Sequence, residues 1–443
     1  MVVSDSRARI SGPNLFTWPG RGAVAFAGML LLACGSQKAD GTASAADTTT
    51  TSGSTSGSTS GSTTGPLAGS GTSGDGTSTS TTGPDGPYVY ENQVALLDSP
   101  PRRTGFTLEA LPGGRALLIG GLVADGPDAG SDPDVVPGTL LWRPGEGFVA
   151  GPELQHPRFE HDSAALSDGS VLVFSGRSSH ELEAKLVEVE RIDPEGLASA
   201  VVGALTEARH VVTAIAEPGD TVVVLGDSSV VAERFDPSTG ISTPLPVEVE
   251  FPFFSAFFAP LFSAARRGNG EIVALGGFDA FEDATFITQG PQAIDLDGNS
   301  SRPIGADAGE QADFSRQALS LPDGSVLLLG SPRLNHLPGP WLVRLDAATD
   351  TLTTLQELAD PATPFHRPPV GVVLADGRVW IVGEPGKDPG VATHFYDPAT
   401  DALTPGPSLP TPTIPIAAVL LDSGPVLLLG SNEGPTLSAF LLE

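Results

Sequence analysis

Basic side chains recur at one position along this chain: Arg103, Arg158 with His161, Arg209 with His210, Arg316, and His366 with Arg367. Each arginine stands eight to eleven residues ahead of a glycine that opens a tight turn. A guanidinium presents five N–H donors in a planar fork that matches carboxylate or sulfate oxygens. A ring of such groups around one opening would clamp a ligand, so these eight residues are the candidate ligand-binding set. The same arginines could instead satisfy backbone carbonyls or pair with acids between neighbouring units, in a chain with 53 acidic and 23 basic side chains. Asp125, Asp128, Asp132 and Asp134 share one Gly/Pro-rich loop and could offer oxygens to Ca²⁺. The spacing of a helix–loop–helix calcium site is missing, so they read as turn-capping groups and no metal is assigned. HExxH is absent from the chain, and GxSxG is absent from its folded part. No catalytic residue is assigned and no cofactor is expected. The abundance of acids keeps one enzymatic alternative open, a hydrolase or lyase that acts on polysaccharide with two carboxylates in a central pocket.

The frame that must position these residues is a repeat. A glycine turn followed by a β-branched or leucine run that ends in glycine occurs seven times: Gly114 to Gly120, Gly169 to Gly176, Gly219 to Gly226, Gly270 to Gly276, Gly324 to Gly330, Gly377 to Gly383 and Gly424 to Gly430. The turn glycines are 47 to 55 residues apart. An apolar run precedes each turn, and a variable loop and a third strand follow, the latter commonly closing in an acidic turn. Examples are Ile192-Asp193-Pro194, Phe235-Asp236-Pro237, Leu296-Asp297-Gly298, Leu345-Asp346-Ala347 and Tyr396-Asp397-Pro398. Asp accepts hydrogen bonds from turn N–H groups and Pro presets φ, so a fourth strand follows each corner. Four antiparallel strands per repeat of this length predict an all-β fold, a seven-bladed β-propeller of four-stranded antiparallel blades. After Gly430 only one strand remains, while Gln93–Leu97 forms a strand with no blade of its own. The N-terminal strand is therefore expected to complete the last blade and remove an open edge.

This pattern over 88–443 resembles the kelch and galactose-oxidase-like propellers. The double glycine that ends the second strand stands at Gly120-Gly121 and Gly276-Gly277 and is single elsewhere, and the family's later Tyr and Trp are mostly missing. The resemblance implies the fold. It does not imply the copper chemistry of galactose oxidases, which rests on a cysteine cross-linked to tyrosine, because the single cysteine here, Cys34, lies far upstream.

Residues 1–22 carry Arg7, Arg9 and Arg21 against Asp5, and an apolar run from Ala23 to Ala33 follows. A basic flank before about 7–15 apolar residues marks a secretory signal. Leu31-Leu32-Ala33-Cys34 resembles the lipobox of bacterial lipoproteins, which implies cleavage of residues 1–33, lipidation of Cys34 and attachment to a membrane. Gly35, in place of the aspartate that retains such proteins at the inner membrane, implies the outer membrane, with the domain facing the periplasm or the cell surface. Residues 34–87 are rich in Ser, Thr and Gly and predict a disordered tether; a GxGxxG match at 69–74 has no strand before it and carries nothing. The propeller region retains 19 basic and 48 acidic side chains. A field of that sign repels nucleic acid.

Blade strands a to d meet in a–b and c–d turns on one side and in b–c and d–a loops on the other. The turns are short and alike, whereas b–c connections such as 121–138 and 331–340 are long and unlike each other. Binding residues concentrate on variable loops over a rigid scaffold. The sequence therefore predicts a monomeric binding or adhesion module that holds a protein or glycan on that loop side. Six phenylalanines between Phe251 and Phe262 are expected to pack between the third and fourth blades.

Overall fold

The computed structural model describes Tyr90 and residues 93–123, 134–181, 183–226, 231–248, 263–275, 278–282, 285–288, 291–304, 317–329, 340–357, 369–383, 392–431 and 434–443. Cys34, Arg316, His366, Arg367, Asp125, Asp128, Asp132 and the phenylalanine run lie outside these residues. The chain divides into two compact units, Met1–Thr63 and Thr64–Glu443, and every described residue belongs to the second.

Every element among the described residues is a β-strand. The first repeat runs Thr107–Leu111, Arg115–Ile119, Gly138–Arg143 and Gly147–Glu153, hydrogen-bonded in that order as an antiparallel sheet. The fourth, fifth and sixth repeats form four-stranded sheets of the same order. The seventh supplies Ile414–Leu420, Val426–Ser431 and Leu437–Leu442. Its fourth strand comes from the other end of the described chain: Val94–Leu96 pairs antiparallel with Leu437–Leu442, with Ala95 opposite Leu441. The turn glycines explain the regularity. Gly169, Gly219, Gly324 and Gly377 sit at φ between 82° and 88°, a left-handed conformation that glycine adopts without steric penalty.

The second and third repeats depart from the expected separation, because their eight strands form one sheet. The join is a parallel contact of Ala204 with Ile241. Glycine at 203 and 240 permits it, since a Cβ on either would run into main-chain carbonyl oxygen of the facing strand. The acidic corners form as expected, with one shift of position. Asp193, Asp236, Asp346 and Asp397 accept main-chain N–H groups in their turns, but in the fourth repeat the accepting side chain is Asp295, which takes Asp297 and Gly298 N–H, and not Asp297.

The first strands of the repeats, here a-strands, are Thr107–Leu111, Asp162–Ala165, Val212–Ala216, Ser263–Arg266, Gln317–Ser320, Val370–Val373 and Ile414–Leu420. Each packs beside the a-strand of the next repeat, and the seventh packs beside the first. The cores follow the same order. Among the described residues there are seven apolar clusters, and each lies between two consecutive repeats. The cluster of Leu118, Trp142, Leu427 and Ala439 joins the seventh repeat to the first. The second strands, such as Val171–Phe174 and Val326–Leu329, are buried on both faces. That explains why they read as unbroken apolar runs rather than alternating ones.

Candidate functional site

The predicted arginines occupy a recurring corner. In the first three repeats Arg103, Arg158 and Arg209 each stand two residues before a left-handed position, Gly105 (φ 66°), Glu160 (φ 54°) and Val211 (φ 52°). This bend turns the chain into the a-strand and links neighbouring repeats through main chain: Glu160 N–H donates to Gly105 O at 3.1 Å, and Val211 N–H to Glu160 O at 2.8 Å. The carbonyls of the arginines are used as well. Gly121 N–H donates to Arg158 O at 2.9 Å and Gly176 N–H to Arg209 O at 3.1 Å. These approaches require the glycines that end the second strands, because a Cβ on Gly120 would lie 2.5 Å from Arg158 O.

The guanidinium groups fold back into their own sheets and do not ring an open mouth. Arg103 is 7% exposed and donates to Gly138 O (2.5 Å) and Gly120 O (3.2 Å). Arg158 has no exposed surface. Its Nη1 donates to Ser175 O and Glu188 O, and its Nη2 pairs with Glu190 at 2.5 Å. Arg209 pairs with Glu233 at 2.7 Å, both fully buried or nearly so. Burial lowers the pKa of Arg158, and Glu190 beside it acts in the opposite direction. His161 and His210 are also buried. His161 Nε2 lies 3.2 Å from Thr107 Oγ1, and burial together with the nearby Arg158 charge pushes its pKa down to about 3, so it is neutral. Of the two uses open to these arginines, Arg103, Arg158 and Arg209 take the internal one. The ligand clamp expected of Arg103, Arg158, His161, Arg209 and His210 is corrected accordingly. Satisfying buried carbonyls and carboxylates is the stronger demand, since an unpaired buried polar group costs about 1–3 kcal/mol.

Sequence reasoning passed over the partners. Glu190 and Glu233 each stand three residues before a closing aspartate, in Glu190-Arg191-Ile192-Asp193 and Glu233-Arg234-Phe235-Asp236. Had the repeat been compared position by position, this shared tetrapeptide would have marked them. The second residue of the tetrapeptide is also committed: Arg191 pairs with Asp168 and Arg234 with Glu217, tying the third strand to the a–b turn. Arg344 does the same with Asp323 in the fifth repeat.

The a-strands have one edge free of sheet partners, and short polar side chains satisfy it across repeat boundaries. Ala214 N–H donates to Asp162 Oδ2 (2.8 Å) and Ala318 N–H to Ser263 Oγ (3.0 Å). Gln317 exchanges two bonds with the Gly371 backbone, at 2.7 and 2.8 Å. Ser163 donates to Glu109 Oε1 at 2.7 Å and lies 2.7 Å from Thr107 Oγ1. Burial pushes Glu109 up to about 8 and Asp162 up to about 7, and the proximity of Asp162 raises Glu109 further. This pair of acids sits on two neighbouring a-strands, both side chains buried.

On the turn side every repeat boundary carries a polar link among the described residues. Asp422 accepts the N–H groups of Gly113 and Gly114; Arg115 pairs with Glu195 at 2.5 Å; Ser167 donates to Asp220; Arg266 reaches Glu217 at 3.0 Å; Arg302 and Arg267 both hold Asp350; Arg344 holds Asp401 at 2.5 Å. Between the sixth and seventh repeats Tyr90 does this work, accepting Ala375 N–H and donating to Gly424 O, each at 3.0 Å. A small cleft on this side, lined by Arg115, Asp168, Arg191, Asp193 and Glu195, has its arginines already paired. The b–c connections are unlike one another. That of the first repeat contains the ribbon of Leu122–Val123 with Asp134–Val135, and that of the fourth contains the hairpin Phe278–Glu282 with Thr285–Thr288.

No family model matches the chain, and no curated protein matches it. Among solved structures it is similar to a novel fungal alcohol oxidase with catalytic diversity among the AA5 family, in complex with copper. The identity is 15%, the TM-score 0.52, and the match covers 79% of this chain and 76% of that one. The likeness shows the fold, which is β-rich and galactose-oxidase-like. Among the described residues no three of His, Cys, Asp and Glu converge to hold a metal. His161 and His210 belong to the buried corners instead.

Proposed function

We propose that residues 88–443 form a seven-bladed β-propeller, latched by its N-terminal strand and carried on a lipidated Cys34 at the outer membrane, which works as a binding module for a protein or glycan. The seven boundary clusters and the packing of the seventh a-strand on the first support the ring. The role rests chiefly on one contrast. The turn side is committed to links at every boundary, while the b–c side carries elements that differ from repeat to repeat. A scaffold regular on one side and varied on the other is the pattern of a recognition surface. The Glu109–Asp162 pair is buried at 8% and 2% exposure, which does not favour the enzymatic alternative.

Two measurements test this. In cells expressing the full chain, Cys34→Ala should abolish incorporation of labelled palmitate and move the protein from the membrane fraction to the soluble one. The delipidated protein should then retain its partner on an array of outer-surface glycans and surface proteins, and lose it when the ribbon between Gly121 and Gly138 is replaced by a short turn. Retention of the partner after that replacement, and after the equivalent change in the 276–291 connection, would refute the assignment of the binding side.

A further inference from the structure

Glu190 and Glu233 are fully buried, and each holds a guanidinium. Glu109 and Asp162, almost as buried at 8% and 2% exposure, hold none. Among the described residues their neighbours are as follows. Glu109 lies on Thr107–Leu111, which packs on Arg115–Ile119, Asp162–Ala165 and Ile414–Leu420. The second of these contributes Asp162, another acid, and the third has no ionisable side chain. Arg115 on the first is spent at the turn, on Pro112 O and Glu195. Asp162 also faces Val171–Phe174 and Val212–Ala216, which carry no ionisable group, and the segment ahead of it holds neutral His161 and Arg158, which is paired with Glu190. Two acids in contact with each other's field, with no cation beside them among the described residues, cannot both be ionised at modest cost.

We infer that the boundary between the first two repeats is held by protons retained on Glu109 and Asp162 at neutral pH, and that it loosens in mild alkali. Glu109 accepts from Ser163 on the neighbouring a-strand and Asp162 from Ala214 N–H on the one after it; these bonds favour the charged forms, and burial outweighs them. Ionisation places two negative charges between three buried a-strands that are joined across their boundaries by few polar bonds. The direction of the shifts agrees. Both carboxyls are raised, from 4.5 to about 8 and from 3.8 to about 7, so the folded protein keeps protons that the unfolded chain has released. Their stabilising effect is complete below about pH 4 and is lost as pH rises through about 7 to 8.

The test is the unfolding constant of the full chain in urea, measured between pH 5 and pH 9. Each retained proton makes that constant rise about tenfold per pH unit across its window. Glu109→Gln, which keeps the shape and cannot ionise, should lower the slope by close to one proton, and Asp162→Asn should lower it likewise. Amide protection along the three a-strands, after division by the intrinsic base-catalysed rate, should fall between pH 6 and pH 9 in the wild type and fall less in either variant. A slope unchanged in both variants overturns the inference. Should Glu109→Gln fail to fold, the wild type with ¹³C-labelled glutamate carboxyls decides: one resonance must titrate well above the rest, and titration of all of them below pH 6 overturns it equally.

Discussion

Replacing Glu190 by glutamine would remove one charge and almost no volume from a site without solvent. Arg158 there has no exposed surface, and its Nη2 lies 2.5 Å from Glu190 Oε1. The same carboxylate accepts Gln155 N–H at 2.6 Å and His156 N–H at 3.0 Å. Glutamine offers one oxygen where the carboxylate offered two, so its NH₂ must face either the guanidinium or a backbone N–H. At the Oε2 position the NH₂ orphans Gln155 N–H, at the Oε1 position it orphans both His156 N–H and the guanidinium, and in either case the guanidinium stays buried without a counter-charge. Removing one member of a buried pair costs about 3–5 kcal/mol. Whole domains are commonly stable by about 5–15 kcal/mol. The urea midpoint of the full chain should therefore fall by about a fifth or more of its value, with little change in the slope of the transition. The exposed pair of Arg143 with Glu146, at 3.4 Å, provides the contrast; breaking it should cost about 0–1 kcal/mol. The double variant Arg158→Met, Glu190→Leu should lie closer to wild type than the sum of its single variants, because neither charge is left alone. A loss under 1 kcal/mol in Glu190→Gln, or strict additivity in the cycle, would refute the account of this corner as an ion pair that holds the first strand to the third.

Gly120→Ala should destabilise by more than about 1 kcal/mol, since φ there is 58° and the new methyl would meet Arg158 O, whereas Gly145→Ala, at φ 77° with open space around it, bears backbone strain alone; thermal melts of the two separate these effects. Tyr90→Phe leaves Ala375 N–H and Gly424 O unpaired and should cost about 1–3 kcal/mol in the same melts. Deletion through Leu97 exposes the edge of Leu437–Leu442, and light scattering should report aggregation of that variant at concentrations where the full chain stays monodisperse. In acid, the turn carboxylates act opposite to Glu109. Main-chain and hydroxyl hydrogen bonds hold Asp346 down at about 2, and Ser170 with Arg191 lower Asp168, so their contribution is present above about pH 4 and disappears as pH falls towards 2. A melting temperature that keeps rising below pH 4 would contradict that.

The all-β fold, the repeat boundaries and the pairing of Val94–Leu96 with the last strand were legible because each is written in local chemistry. Turn glycines need positive φ, second strands buried on both faces are continuously apolar, and a repeat one strand short implies a donor elsewhere. The fate of the arginines was not legible. Arg158 and Glu190 are 32 residues apart and meet only because the third strand runs back past the start of the first. Spacing along the chain could show that arginine recurs at the corner, but not that it turns inwards. The joining of the second and third repeats was hidden for a similar reason. Gly203 and Gly240 look like ordinary strand and turn glycines until two backbones are seen to need the same space.

The boundary links suggest why this chain spends so many of its few basic residues on its own acids. Among the described residues each apolar cluster joins two consecutive repeats, so their assembly is as stable as its weakest boundary. Apolar packing alone leaves adjacent sheets free to slide, because it is not directional. A polar link at the turn side fixes the angle at each boundary, and one per boundary is enough. Where sequence supplies no charge for it, between the sixth and seventh repeats, the arriving N-terminal segment brings Tyr90 to the position. The latch and the last boundary link are then the same segment. A cut between the tether and Val94 would release one end of both, so proteolysis near Tyr90 should open the ring at that boundary before any other. Limited digestion followed by amide exchange would show it as early loss of protection in 437–442 and 414–420, with 107–119 following and 222–236 last.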